Sequence, residues 1–191
     1  YRFKILSYIK VIIKSKDIYI NKLLHIKMRL PPILLAKRFV AGTEFDHVIP
    51  IIKNFHKKGI KVALDHLGEE VFDVKKVENA TKIYLNILEN IKKQKLDSNI
   101  SIKLSQIGLS ISKNLALKNA EKILKKARLL GLLVEIDMEG SKYTQDSIAI
   151  FLTLLKKYKN PSLAIQAYLF RSEDDILDII KNKGGIRLVK G

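Results

Sequence analysis

Cysteine and tryptophan are absent from the 191 residues. Without thiols the chain has no disulfide framework and no thiolate chemistry, which fits a reducing compartment. Glycine is present, but no apolar run is followed by GxGxxG or GxxxxGK, so neither a Rossmann site nor a P-loop is indicated. The histidines His25, His47, His56 and His66 show no ligand spacing, and no metal is assigned. Long hydrophobic runs are missing too. The most apolar N-terminal stretch, ILSYIKVIIKSKDIYI, meets a lysine every few residues. It falls short of the roughly 18–20 apolar residues that a span requires, and no small-residue cleavage site follows it. Acidic residues are scarce: 19 Asp and Glu against 36 Lys and Arg give a net charge of +17. Such a balance can serve nucleic acid, an anionic membrane surface or an anionic cofactor. The lysines are spread along the whole chain, between apolar positions of helical segments. They read as solvated helix faces, and no nucleic-acid partner is expected.

Apolar residues make up 47% and charged residues 29%, a globular composition. The length suits one sizeable core or part of a larger domain. From residue 38 two patterns alternate. Short β-branched runs occupy 38–42, 60–68, 99–108, 132–140, 162–169 and 185–191. Helical spacing fills 46–58, 73–94, 113–130, 145–158 and 173–183, the last with Ser172 as N-cap and Glu173, Asp174 and Asp175 in its first turn. Five β-α units closed by a sixth strand predict a parallel sheet covered by helices. The expected fold is α/β: a (β/α)8 TIM-type barrel, represented by about six strands and five helices over 38–191. Residues 1–37 read as a separate N-terminal segment of two amphipathic helices, ended by Pro31 and Pro32.

In such a barrel one face of each strand meets helices, and site groups come from the C-terminal strand ends. Strand by strand, Ile102, Ile136, Ile165 and Leu188 oppose Lys103, Asp137, Gln166 and Arg187; earlier in the chain Leu64 opposes Asp65. Buried charges must pair, solvate or bind something, so the four polar residues form a candidate site. An antiparallel sheet with one wet face is the competing arrangement, and intervening helices disfavour it. Glu69 and Glu70 fit a helix start as well as a site loop. Arg171 reads as a structural ion-pair partner, and His66 and Tyr168 as packed residues. Lys190 is a Schiff-base candidate, although its parity points away from the other four.

At these residues the chain resembles the proline dehydrogenase family of FAD-dependent barrel enzymes, which oxidise L-proline to 1-pyrroline-5-carboxylate. The resemblance is carried by RFVAG (38–42), LDHLGEEV (64–71), SIKLSQIGL (101–109), DMEGSKYT (137–144), IQAYLFRS (165–172) and IRLVKG (186–191), in family order. It implies that Lys103 lines the proline pocket and that Asp137 is the active-site aspartate, with Met138 beside the flavin. It implies flavin contacts from Ile165 and Gln166, and an arginine near the flavin's reactive nitrogen at Arg187. Val189, Lys190 and Gly191 fall in the same flavin-binding run. Glu69 matches a loop acid that pairs with a substrate-binding arginine on closure. The resemblance further implies a quinone as electron acceptor, a cytoplasmic location and peripheral contact with the inner membrane face. The family pattern continues beyond strand six with two more strands and an arginine pair for the proline carboxylate. The sequence is therefore expected to be an incomplete copy, inactive alone. Two other functional classes remain: a flavin-free barrel lyase using Lys103 as a Schiff base, and a basic nucleic-acid-binding module.

Overall fold

Val62 and Leu64, Ile100 and Ile102, Val134 and Ile136, and Leu163 and Ile165 alternate along four strand runs, so each pair faces the same way. All eight are buried, packed with the apolar stripes of the helices that follow them. That requirement sets the layering: a sheet with helices against one face. The structure, a computed structural model, describes residues 8–13, 40–42 and 44–191. Its elements are β1 (Tyr8–Ile13), β2 (Val40–Gly42), α1 (Phe45–Lys57), β3 (Lys61–His66), α2 (Val74–Lys93), β4 (Ser98–Ile102), a π-type turn (Ser105–Leu109), α3 (Lys113–Leu130), β5 (Val134–Ile136), α4 (Ser141–Leu155), β6 (Pro161–Gln166), α5 (Ser172–Lys181) and β7 (Gly185–Val189). Every strand pairing is parallel, in the order β2-β1-β3-β4-β5-β6-β7. From β3 onward each strand pairs with the next through a helical crossover, the α/β arrangement expected of a partial barrel.

Local chemistry sets the helix limits. Asp73 accepts a hydrogen bond from Lys76 N at 3.0 Å and starts α2. Ser112 starts α3 in the same way, and Gly131, at φ 73°, ends it in the left-handed conformation. Tyr84, Leu88 and Ile91 of α2 meet Ile123 and Leu124 of α3 in one core.

Three expectations need correction, besides α4 starting at Ser141 rather than at 145 and Tyr168 being 66% exposed rather than packed. Tyr8–Ile13 is a strand and not part of an amphipathic helix, so among the described residues the sheet has seven strands rather than six. Its run YIKVII suits either period locally. Pairing with all six residues of β3 decides it, and that contact is remote in sequence. The rest of the segment expected to be helical, with Pro31 and Pro32, lies outside the described residues. Second, the run expected as strand over 99–108 leaves the sheet after Ile102 and bends through the π-type turn, where Gly108 takes φ 125°. Third, Ser172 is the first residue of α5 and not its cap; its hydroxyl donates back to the Gln166 carbonyl.

Candidate active site

The registers Asp65↔Ser101, Ser101↔Glu135 and Ala164↔Arg187 place one polar set on the sheet face away from the packed core. Lys103 and Asp137 lie just past their strands. The Asp137 amide donates to the Ile102 carbonyl at 2.9 Å, which carries the β4–β5 pairing one residue further and sets Asp137 beside Lys103. Lys103 Nζ then donates to Asp137 Oδ2 at 2.9 Å and reaches Asp65 Oδ2 at 3.4 Å. From the other side Arg187 Nη2 donates to Asp137 Oδ1 at 3.1 Å. Arg187 Nε lies 2.7 Å from Glu135 Oε2, a charge contact without hydrogen-bond alignment. The Ser101 hydroxyl sits between the Glu135 and Asp137 carboxylates, 3.1 Å from Asp137 Oδ1 and 3.3 Å from Glu135 Oε1.

The cluster is graded in solvent access. The side chains of Asp65 and Asp137 are 2% and 9% exposed, that of Lys103 18% and that of Arg187 34%. Arginine thus faces the open side and the aspartates line the floor. Burial alone would push the Lys103 ammonium toward neutrality. Asp65 and Asp137 together overcome it and hold the amine above its ordinary 10.5, so it stays charged. Tyr84 closes the floor from α2. Its hydroxyl donates to Gln106 Oε1 at 2.8 Å and lies 3.4 Å from Asp65 Oδ1. Burial and then the Asp65 charge raise its pKa well above the ordinary value, so it remains a donor.

A second carboxylate fixes the turn after Lys103. Glu139 accepts from the Ser105 amide at 2.9 Å and from the Ser105 hydroxyl. Burial raises the Glu139 pKa, and the two Ser105 hydrogen bonds pull part of it back. Ser105 also holds the loop after β3: its hydroxyl accepts from Glu70 N at 2.8 Å and its carbonyl from Val71 N at 3.2 Å.

Lys103, Asp137 and Arg187 therefore form one connected group. Gln166 lies on the same face at the end of β6, half-buried and in register with half-buried Val189 of β7. Ile165 and Met138 turn their side chains the other way: Ile165 is in the core and Met138 packs against it, so only their main chains border the polar face. Lys190 and Gly191 are exposed beyond β7, and Gly191 at φ 139° backs onto the Tyr168 ring. Glu69 is exposed on the loop after β3, near enough to Glu139 for its charge to raise that carboxyl. Arg171 is a structural residue, paired with Asp175 at 2.7 Å.

Asp65, Ser101, Glu135, Tyr84 and Glu139 complete the cluster and were not among the expected site residues. Parity carries a signal for the first three, since Asp65, Ser101 and Glu135 alternate with buried aliphatics. Tyr84 is invisible from the sequence, because its hydroxyl comes from a helix that otherwise presents aliphatic residues to the core. Chemically, the group offers fixed cations and carboxylates from parallel strands β3, β4, β5 and β7, able to bind an anionic group and orient an amine. No helix among the described residues is long and apolar enough to cross a membrane.

Comparison with known proteins bears on the same region. The family model for proline dehydrogenase matches residues 48–191. Proline dehydrogenase 2 of Bacillus subtilis (strain 168) is 36% identical over 156 residues, covering 82% of this chain and 52% of that protein. Proline dehydrogenase of Deinococcus radiodurans is 30% identical over 162 residues, again 82% of this chain and 52% of its own length. The chain thus spans about half the length of the curated relatives it matches. Among solved structures, proline utilization A from Bdellovibrio bacteriovorus, inactivated by N-propargylglycine, superposes with TM-score 0.76 at 22% identity, over 83% of this chain and 20% of that one. Proline utilization A of Bradyrhizobium japonicum, in a mutant D778Y form, gives 0.60 at 21% identity over 68% of this chain and 16% of its own. These likenesses show the shared parallel α/β fold. With a family model over residues 48–191 and relatives at 30% identity or more, the chain belongs to the proline dehydrogenase family.

Proposed function

We propose that these residues form part of a site that oxidises L-proline to 1-pyrroline-5-carboxylate with FAD, in proline catabolism. The observation that carries the reading is the Lys103–Asp137–Arg187 chain of contacts at the ends of three parallel strands, within a member of this family. FAD, when bound, supplies the two-electron oxidant that takes hydride from the substrate carbon. The donor set fits such a group: Arg187 lies on the open side of the cluster, and Gln166 offers an amide on the same face. A cation and an amide donor stabilise negative charge gained on a ring held near them. Val189, Lys190 and Gly191 would contribute main-chain contacts along the same strand end, as would Ile165 and Met138.

On the substrate side Lys103 offers a cation to the proline carboxylate. It stays charged because Asp65 and Asp137 flank it. Oxidation turns the ring C–N bond into C=N, so the amine must lose a proton as the carbon loses hydride. Asp137 is fixed from both sides by Lys103 and Arg187, and it orients the groups through which that proton leaves. Glu69, exposed on the loop tied to Ser105, would pair with a substrate-binding arginine when the site closes. The electrons would pass on to a quinone, with peripheral contact at the cytoplasmic membrane face.

Arg187→Lys tests the reading. It keeps the charge but loses the planar fork that spans Glu135 and Asp137. Anaerobic flavin reduction by proline should slow on the order of 10²–10³-fold in the flavin-loaded enzyme carrying these residues. An unchanged rate would overturn the assignment.

A further inference from the structure

We propose that Glu135 is a positioning residue for Arg187, setting the plane of the guanidinium that the proposed site presents to its cofactor. The inference rests on the proline-oxidising reading above. Glu135 lies two residues before Asp137 on the same face of β5, and its side chain is 13% exposed. Arg187 comes from β7, on the far side of β6, where residue 164 at the same level is alanine. Ala164 leaves the space through which the arginine reaches across a strand to β5.

A guanidinium held by one contact pivots about it. Here two contacts from one strand hold it at different atoms: Nε against Glu135 Oε2 at 2.7 Å, and Nη2 against Asp137 Oδ1 at 3.1 Å. A hydrogen bond at Nη2 and a charge contact at Nε together fix both the position and the tilt of the planar group. Ser101 makes the pair of anchors rigid, its hydroxyl standing within 3.3 Å of both carboxylates. Glu135 also adjusts charge. Around Lys103 and Arg187 stand three ion-paired carboxylates, Asp65, Glu135 and Asp137, with Glu139 near enough to act on Lys103, so negative charge is in excess. Removing the Glu135 charge frees more of the positive field of Arg187 toward the open side.

Two variants separate positioning from charge. Glu135→Ala removes both, whereas Glu135→Gln keeps the shape and an acceptor oxygen. In the flavin-loaded enzyme, Glu135→Ala should lower the limiting rate of flavin reduction at least about tenfold, the scale expected for a displaced site group. The KM for proline should stay within about twofold. Glu135→Gln should recover most of the rate while shifting the flavin potential to a more positive value. A readout without turnover is the Arg187 side-chain Nε–H signal in the NMR spectrum of the enzyme carrying these residues. The Nε–H is buried beside the Glu135 carboxylate, so its chemical shift should depart from the free-arginine position, and that departure should shrink in Glu135→Ala. If Arg187→Lys slows flavin reduction but neither Glu135 variant changes rate, potential or the Nε–H signal, the positioning role is wrong and the functional reading stands. If Arg187→Lys has no effect, the functional reading has failed, while a Glu135-dependent Nε–H signal would still support the anchoring of Arg187.

Discussion

Lys103 shows most directly how single residues are held in this cluster. Its ammonium stands between two carboxylates that are almost entirely buried. Taking away that cation leaves Asp65 and Asp137 as like charges in a poorly solvated place, so Lys103→Met should cost roughly 3–5 kcal/mol of folding stability. Denaturant unfolding of the two proteins measures the cost. The same pairing has an alkaline signature. The folded state holds the Lys103 proton more tightly than the unfolded chain, so its stabilising contribution is complete below about pH 10.5 and is lost as pH rises through the folded value. That alkaline slope should be missing in Lys103→Met. Strand parity makes Lys103, Asp137, Gln166 and Arg187 legible before any coordinates, since residues i and i+2 share a face whatever the register. Which of them touch is not legible. Arg187 passes over Ala164 to reach β5, a contact that depends on register and on the small size of one residue in between.

The π-type turn between β4 and α3 is where pattern reading stops short. The alternation in NISIKLSQIG continues past the residue at which the sheet ends, so period alone extends the strand too far. What bends the chain is Glu139, arriving from beyond β5 to take the amide and hydroxyl of Ser105. Gly108 completes the turn at φ 125°, where an added Cβ would lie 2.7 Å from Leu115 Cγ and 3.2 Å from the Ala116 nitrogen. Gly108→Ala is expected to cost about 2–3 kcal/mol, from backbone strain together with this overlap, and thermal unfolding gives the value. Glu139 adds a pH signature. Its folded carboxyl holds its proton more tightly than the ordinary value of 4.5, so stability gains as pH falls through the folded value, and the gain is complete below 4.5. Glu139→Gln should flatten that slope between neutral pH and 4.5, as read from denaturation midpoints. The helices were easier to read: α2 and α3 carry aliphatic stripes with Asp73, Ser112 and Gly131 at their ends, and their limits fall within a residue of expectation.

At the scale of the molecule, the alternation of strands and helices foretold a parallel sheet with helices between its strands. It missed β1, whose place between β2 and β3 is a long-range pairing. In the described sheet β7 stands at one end, with Leu188 60% exposed and Leu177, Ile180 and Phe170 exposed nearby in sequence. Unpaired strand groups flanked by apolar side chains favour association. Residues 1–191 alone should therefore elute larger than a monomer, and Leu188→Lys should shift them toward the monomer. Because the chain spans about half the length of its curated relatives, the 191 residues alone are also expected to show no proline-dependent dye reduction. The role proposed for the Lys103–Asp137–Arg187 group is to bring proline to its oxidant. Its most direct test is anaerobic mixing of L-proline with the flavin-loaded enzyme carrying these residues, in the native form and as Asp137→Asn. Flavin absorbance should bleach in the native protein and bleach at least about a hundredfold more slowly in the variant, the scale for loss of one preorganised polar group. Equal bleaching rates in the two proteins would contradict the claim.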